Sequence, residues 1–393
     1  VDLAARQFER ILIIKPSSLG DVIHALPVLR GLRRRFPAAS IDWLIGSAFA
    51  PLLADHPDLT EIVLFDRRRL GRMGVSPRIA SEFVAFLRDL RARRYDLVID
   101  LQGLFRSGFI TRATGSPVRI GFRNAREGAR LFYTHRIDTP TGDIHAVDKN
   151  YLVAGILGFA DVPISFDLPI SVAAEAEADA LLGVTSPPPR GGPRGGEDVR
   201  SRASSFPSAI AGAQSTIVFA PGARWETKRW LPERFAQLID ELASDGAAET
   251  YRCVLVGGRE DQELCADISR RCLRAPLNLC GRTSLPGLVA IIARADLVIC
   301  HDSGASHIAA ALNRPLVCIT GPTNPRRTGP YGRQHDVLRL DLECSPCYFR
   351  RLSQCPHHHR CMQDLDVAKV VAAAIGNIKR PKHQNMAAMR LAD

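Results

Sequence analysis

The chain has 393 residues, 46% hydrophobic and 24% charged, with a formal charge of +11. This length exceeds one ordinary domain and suits two. The composition is that of a soluble globular protein, and no apolar run reaches the roughly 18–20 residues of a membrane span. The first ten residues hold Asp2, Glu9 and two arginines before an apolar run of only four. That is not a secretory pattern, and a cytoplasmic location is expected. The basic balance favours anionic partners, here phosphorylated sugars or an anionic membrane face rather than nucleic acid.

In chain order, residues 11–15 predict a strand and 21–36 an amphipathic helix. Ile41–Ile45 and Glu61–Phe65 read as strands, with a helix near Pro51–Asp55 between them. Helical periodicity returns over 78–94, where Phe83, Phe86, Leu87 and Leu90 share a face, and Leu97–Leu101 is a short buried strand. This alternation predicts an α/β fold with a parallel, doubly wound sheet. Residues 185–214 are rich in Pro, Gly, Arg and Ser and read as a flexible linker. A second series follows, with strands at Ile217–Ala220, Cys253–Val256, Leu297–Cys300 and Leu316–Thr320. Its helices run from about Pro232, over 261–273 and over 366–378. The expected organisation is a Rossmann-like domain at 1–184, the linker at 185–214, a second Rossmann-like domain at 215–379 and a basic tail at 380–393. Neither half carries G-x-G-x-x-G after its first strand, which argues against a dinucleotide dehydrogenase.

Five segments carry chemistry. In KPSSLGD, Asp21 stands at a helix start after the first strand. It is either a general base for an incoming hydroxyl or a helix cap. In HDSGASH, a strand ends at Cys300 and a helix opens near Gly304. The first amides of that helix form an anion site suited to a diphosphate. Asp302 would accept bonds from sugar hydroxyls there, the competing roles being a cap for Asp302 or Ser303 and packing for His307. In PGARWETKRW, Lys228 and Arg224 can neutralise a departing phosphate, or the segment is a surface loop. The stretches around 101–108 and 119–136 bring Arg106, Arg119, Arg123, Arg126 and Arg130, whose guanidinium forks suit phosphate and carboxylate. A solvated basic surface is the alternative. Lastly, Cys344, Cys347, Cys355 and Cys361 have spacing that can hold a structural zinc; free thiols or a disulfide are the other readings.

KPSSLGDVIHALP, DLQGLFRSG, the segment around KRWLPERF and DSGASHIAAALNRPLVCITGPTNP occur in the order found in glycosyltransferase family 9, which the chain resembles over nearly its whole length. The cysteine-rich segment resembles the heptosyltransferase II branch. The resemblance implies the GT-B fold, two doubly wound domains facing a cleft. It also implies metal-independent, inverting transfer of a heptose from ADP-heptose, or a related nucleotide sugar, to a phosphorylated lipopolysaccharide core. By this resemblance Asp21 is the base and Lys228 the donor-phosphate lysine. Asp302, Ser303, Gly304 and His307 hold the donor sugar and diphosphate. Glu260 contacts the ribose and Thr283 lies near the adenine, while Ala223 and Arg224 stand where some members have paired hydroxyl residues before the lysine. Ser18, Gly20, Arg106, Arg123 and Arg126 face the acceptor. No cofactor is required, and the chain would lie peripherally on the inner membrane face. A non-hydrolysing nucleotide-sugar epimerase and a glycan-binding protein without turnover are the alternatives on this scaffold.

Overall fold

The computed structural model describes residues 2–66, 76–183, 215–244 and 251–380. The linker at 185–214 and the tail beyond 380 lie outside the described residues. By contacts the chain divides into two units, Val1–Pro169 and Ile170–Asp393. The helix Val172–Leu182 falls in the second, because it packs against Leu285–Arg294. The units therefore part at 169/170, ahead of the boundary at 184 expected from composition.

The first unit holds strands β1 (Arg10–Ile14), β2 (Ser40–Gly46), β3 (Glu61–Phe65), β4 (Leu97–Asp100), β5 (Val118–Phe122) and β6 (His135–Ile137). All pair in parallel, in the order β3-β2-β1-β4-β5-β6. The second unit holds β7 (Ser215–Ala220), β8 (Tyr251–Leu255), β9 (Leu277–Asn278), β10 (Leu297–His301), β11 (Leu316–Ile319) and β12 (Val337–Leu338), again all parallel. Their order is β12-β11-β10-β7-β8-β9, the same winding met from the other edge. Each is the doubly wound Rossmann order, whose winding reverses between the first and fourth strands. Ile11–Ile14 and Leu297–Cys300 are wholly buried, as parallel strands covered on both faces must be.

The helix predicted over 21–36 is broken into α1 (Leu19–Ile23) and α2 (Leu26–Arg35). Pro27 has no N–H to continue the ladder, and its ring would strike the carbonyl four residues back. It sits instead in the first turn of α2, where a missing donor costs nothing. The apolar face expected over 78–94 lies on α3 (Pro77–Ala92), with Leu90 buried and Phe86 and Leu87 packed against the sheet core. The arginine-rich stretches contain more order than their composition suggests, namely α4 (Phe105–Ala113), β5 and β6.

Gly121 in β5 shows how tightly this edge is built. A Cβ there would lie 2.3 Å from the ring of Tyr133, which is only 4% exposed. The Tyr133 hydroxyl donates to Asp100 Oδ2 at 2.6 Å. Gly121→Ala is expected to overpack this contact and cost about 1–3 kcal/mol. A lowered urea midpoint with an unchanged m-value would show it; an unmoved midpoint would mean the ring yields freely.

Candidate active site

Open α/β sheets bind ligands beyond the carboxyl ends of their strands, at the point where the winding reverses. In the first unit these are the ends of β1 and β4. Lys15 follows β1 and is nearly buried, and its Nζ donates to the Leu101 carbonyl at 2.7 Å, bridging the two strand ends. The same Nζ lies 3.7 Å from Asp21 Oδ1. The Ser18 amide and hydroxyl both donate to Asp21 Oδ2, at 2.9 and 2.8 Å. Asp21, the third residue of α1, thus closes a capping box with the N-cap Ser18 and is also held beside a cation, while its side chain remains 43% exposed. Gly20 is the second residue of α1. Behind them Asp100 is fully buried and accepts from the amides of Gln102 and Gly103 and the hydroxyls of Ser107 and Tyr133. Burial raises its carboxyl above the ordinary range despite these four donors.

In the second unit the equivalent ends belong to β7 and β10. The turn after β7 carries Lys228, whose Nζ donates to Asp302 Oδ2 at 2.7 Å and to the Asp302 carbonyl at 3.0 Å. Thr323, from the turn after β11, donates to the same Oδ2 at 2.7 Å, and His307 Nε2 lies 3.8 Å from Oδ1. Burial alone would raise the Asp302 carboxyl. Lys228, then His307, with the hydrogen bonds from Lys228 and Thr323, outweigh it and hold the group below 3.8. Ser303 is the N-cap of the helix Gly304–Ala311, so the diphosphate turn expected from the sequence sits beside this ion pair.

Other expected residues are spread more widely. Glu260 is exposed in the turn after β8, and Thr283 is half-buried in the loop after β9. Arg224 is exposed. Gly222 leaves room for Asp261, the neighbour of Glu260: a Cβ on Gly222 would meet the Asp261 carboxylate at 2.3 Å. Burial raises that carboxyl. Among the arginines, Arg106 and Arg126 are exposed and Arg123 pairs with Asp138. Arg119 is committed to the carbonyls of Phe132 and Ser116. Lys15, Thr323, Asp100 and Asp261 were not singled out by sequence. Thr323 lies in the turn Gly-Pro-Thr-Asn-Pro, which was the one local signal for it.

The cysteine cluster departs from the zinc expectation. Cys344, Cys347, Cys355 and Cys361 border one cavity of about 20 Å³, but all are free thiols. Among the described residues no group of three or more His, Cys, Asp or Glu is placed to hold a metal ion. Cys361 belongs to the hydrophobic core beside Met362 and abuts Gly321. The segment instead braces the lysine turn. His359 Nε2 lies 2.8 Å from the Thr227 carbonyl, Glu226 N donates to the Arg350 carbonyl at 3.1 Å, and Arg350 and Lys228 both sit over the Trp225 ring.

His301, at the end of β10, anchors the far side of that turn. Its Nε2 accepts from the Trp230 amide at 2.8 Å, and its other nitrogen faces the backbone at Pro221 and Gly222 without a well-formed bond. Burial, reinforced by Arg229 and Lys228, pushes the imidazole down from 6.5 to about 3. Between those values the unfolded chain holds the extra proton, so stability is lost as pH falls from 6.5 towards 3. His301→Gln keeps an acceptor for the Trp230 amide and should remove this loss. The unfolding free energy of the variant relative to the parent should then rise on acidification by up to about 1.4 kcal/mol per pH unit. Parallel pH profiles would show that His301 takes up its proton while folded.

The chain matches the model of glycosyltransferase family 9 (heptosyltransferase) over residues 83–358. It is 31% identical to lipopolysaccharide heptosyltransferase 1 of Pseudomonas aeruginosa over 341 residues, 86% of each chain. Lipopolysaccharide heptosyltransferase 2 of Escherichia coli is 28% identical over 346 residues, 84% of this chain and 88% of that one. Among solved structures, E. coli heptosyltransferase WaaC with ADP superposes with a TM-score of 0.68 at 27% identity, covering 94% of this chain and 99% of that one. With two doubly wound α/β units and a buried lysine–carboxylate pair at the second switch point, the chain belongs to glycosyltransferase family 9, the heptosyltransferases.

Proposed function

We propose that the chain is an inverting heptosyltransferase that moves heptose from ADP-heptose to the phosphorylated inner core of lipopolysaccharide by a single displacement. The observation that carries this is the Lys228–Asp302 pair at the β7/β10 switch point, with a helix N-terminus opening directly after it. Lys228 spends two of its three N–H donors on Asp302. The third is assigned to the donor phosphates, where a cation in a water-poor site stabilises the charge that gathers on departing ADP. The first amides from Gly304 onward lack partners within their helix and suit the diphosphate. Asp302 is assigned to the sugar, Ser303, Gly304 and His307 to the diphosphate, Glu260 to the ribose and Thr283 to the adenine. The E. coli relative solved with ADP supports this choice of nucleotide.

On the acceptor side, Asp21 takes the proton from a core-sugar hydroxyl as that oxygen bonds to the anomeric carbon. The bond to ADP breaks on the opposite face, so the configuration inverts. Ser18 holds the carboxylate, and Arg106, Arg123 and Arg126 are assigned to acceptor phosphates. The displacement needs no cofactor, since the ADP-sugar is a substrate. On this reading the chain works in the cytoplasm against the inner face of the membrane that holds its acceptor. No helix among the described residues is long and apolar enough to cross that membrane.

Calorimetry with ADP, UDP and GDP tests the donor assignment. ADP should bind in preference, and Lys228→Ala should weaken it roughly tenfold or more, as loss of a charge-assisted bond does. Asp21→Asn should retain ADP binding yet lose turnover by on the order of 10²–10⁴. A preference for UDP would favour the epimerase, and absence of nucleotide binding would remove the transferase reading.

A further inference from the structure

The first unit exposes an aromatic face that the proposed reaction does not use. Phe105 and Phe109, one turn apart on α4, are 52% and 38% exposed, and Leu131 in the turn Ala129–Phe132 is 74% exposed. Phe105 and Phe109 meet through the ring of Phe132, and Leu131 is its neighbour in the turn. Phe132 packs edge-on against Phe105 at 5.4 Å and Phe109 at 6.3 Å, and Phe109 stacks on Phe83 of α3 at 6.3 Å. Large side chains left in water in a group mark a contact surface. Burying them in the unit's own core is blocked, because the inner face of α4 is already filled by Ser107, Gly108, Ile110 and Thr111.

The surround of this patch is basic. Arg112 continues the stripe of Phe105 and Phe109 along α4, at the i, i+4, i+7 spacing of one helix face. Arg106, Arg126 and Arg130 are exposed on the adjoining positions, and the bond from the Arg126 amide to the Gly103 carbonyl holds their turn against the start of α4. Four arginines stand against Glu127, whose carboxylate accepts from the Phe105 amide at 3.2 Å, and Glu82, which is paired with Arg78. Apolar rings ringed by guanidinium groups match a bilayer with an anionic surface: the rings enter the acyl boundary and the arginines meet the headgroup phosphates.

We propose that this face of α4 and the Ala129–Phe132 turn docks the chain on an anionic lipid bilayer. The identity of that membrane rests on the function proposed above. Arg106 and Arg126 are also assigned to acceptor phosphates, whereas Phe109, Leu131, Arg112 and Arg130 are not, so vesicle binding tested through these four fails or holds separately from transfer.

Sedimentation with phosphatidylcholine vesicles, with and without phosphatidylglycerol, tests it on the full chain. Binding should require the anionic lipid and weaken as salt is raised. Two paired variants, Phe109→Asp with Leu131→Asp and Arg112→Glu with Arg130→Glu, should each lower binding about tenfold or more. Leu131, Arg112 and Arg130 are exposed, so Leu131→Asp alone and the arginine pair should keep the parent's thermal midpoint and separate lost binding from lost folding, whereas Phe109→Asp also gives up the ring contacts to Phe83 and Phe132. Equal binding by the first pair, or equal binding to neutral vesicles, would overturn the proposal. So would concentration-dependent self-association, seen by sedimentation velocity and abolished by the first pair, since a second copy of the chain would then be the occupant.

Discussion

In each unit a lysine spans the point where the winding of the sheet reverses. Lys15 ties the end of β1 to the Leu101 carbonyl beyond β4, and Lys228 ties the turn after β7 to Asp302 beyond β10. A doubly wound sheet leaves a crevice there because its helices depart to opposite faces. A long side chain with three donors can cross that gap, and a carbonyl or carboxylate on the far side gives it a fixed end. Both lysines are largely withdrawn from water, at 8% and 16% side-chain exposure. Desolvating an ammonium costs several kcal/mol, so such a group persists only where its partners are good. At Asp302 Lys228 and Thr323 both donate to Oδ2, and His307 lies 3.8 Å from Oδ1.

On the proposed reading the two units share a winding but divide the chemistry, and the difference lies in the exposure of the carboxylate. Asp302 is 3% exposed, whereas Asp21 is 43% exposed. A buried carboxylate paired with a cation is held ionised, and protonating it would abandon Lys228 in a poor solvent. That suits a group which only accepts hydrogen bonds from a bound sugar. On the proposed reading Asp21, exposed, steadied by Ser18 and with Lys15 at 3.7 Å, is the carboxylate that receives the acceptor proton. In the proposed reaction the fold therefore separates binding from proton transfer by burial, using the same residue type on each side.

Much of this was legible in the sequence because buried parallel strands read as unbroken apolar runs, as at Ile11–Ile14 and Leu297–Cys300. The loops after such runs then point to Asp21, Lys228 and Asp302. What stayed hidden depends on contacts distant in sequence. Lys15 gains its role from Leu101, 86 residues away, and Thr323 gains its role from a carboxylate 21 residues earlier. Composition misled where arginine was dense, because Arg119 serves backbone carbonyls between strands rather than a ligand. Spacing left zinc, a disulfide and free thiols open at the cysteines, whose segment braces, through Phe349, Arg350 and His359, the turn that presents Lys228.

Asp100 links the acceptor-side residues to the surface of the first unit. Its four donors come from the loop after β4, from α4 and from Tyr133 beyond β5. One buried carboxylate thus fixes the loop whose Leu101 carbonyl receives Lys15, and Lys15 in turn stands beside Asp21. Through Ser107 the same carboxylate sets the first turn of α4, and so the direction in which Phe105 and Phe109 face solvent. Burial raises the Asp100 carboxyl, and each of its four donors opposes that. A change that releases Tyr133 or Ser107 would therefore loosen the setting of Asp21 and the aromatic face together. Coupling of this kind follows from a polar network with no spare members, where each lost bond leaves a buried charge less well satisfied.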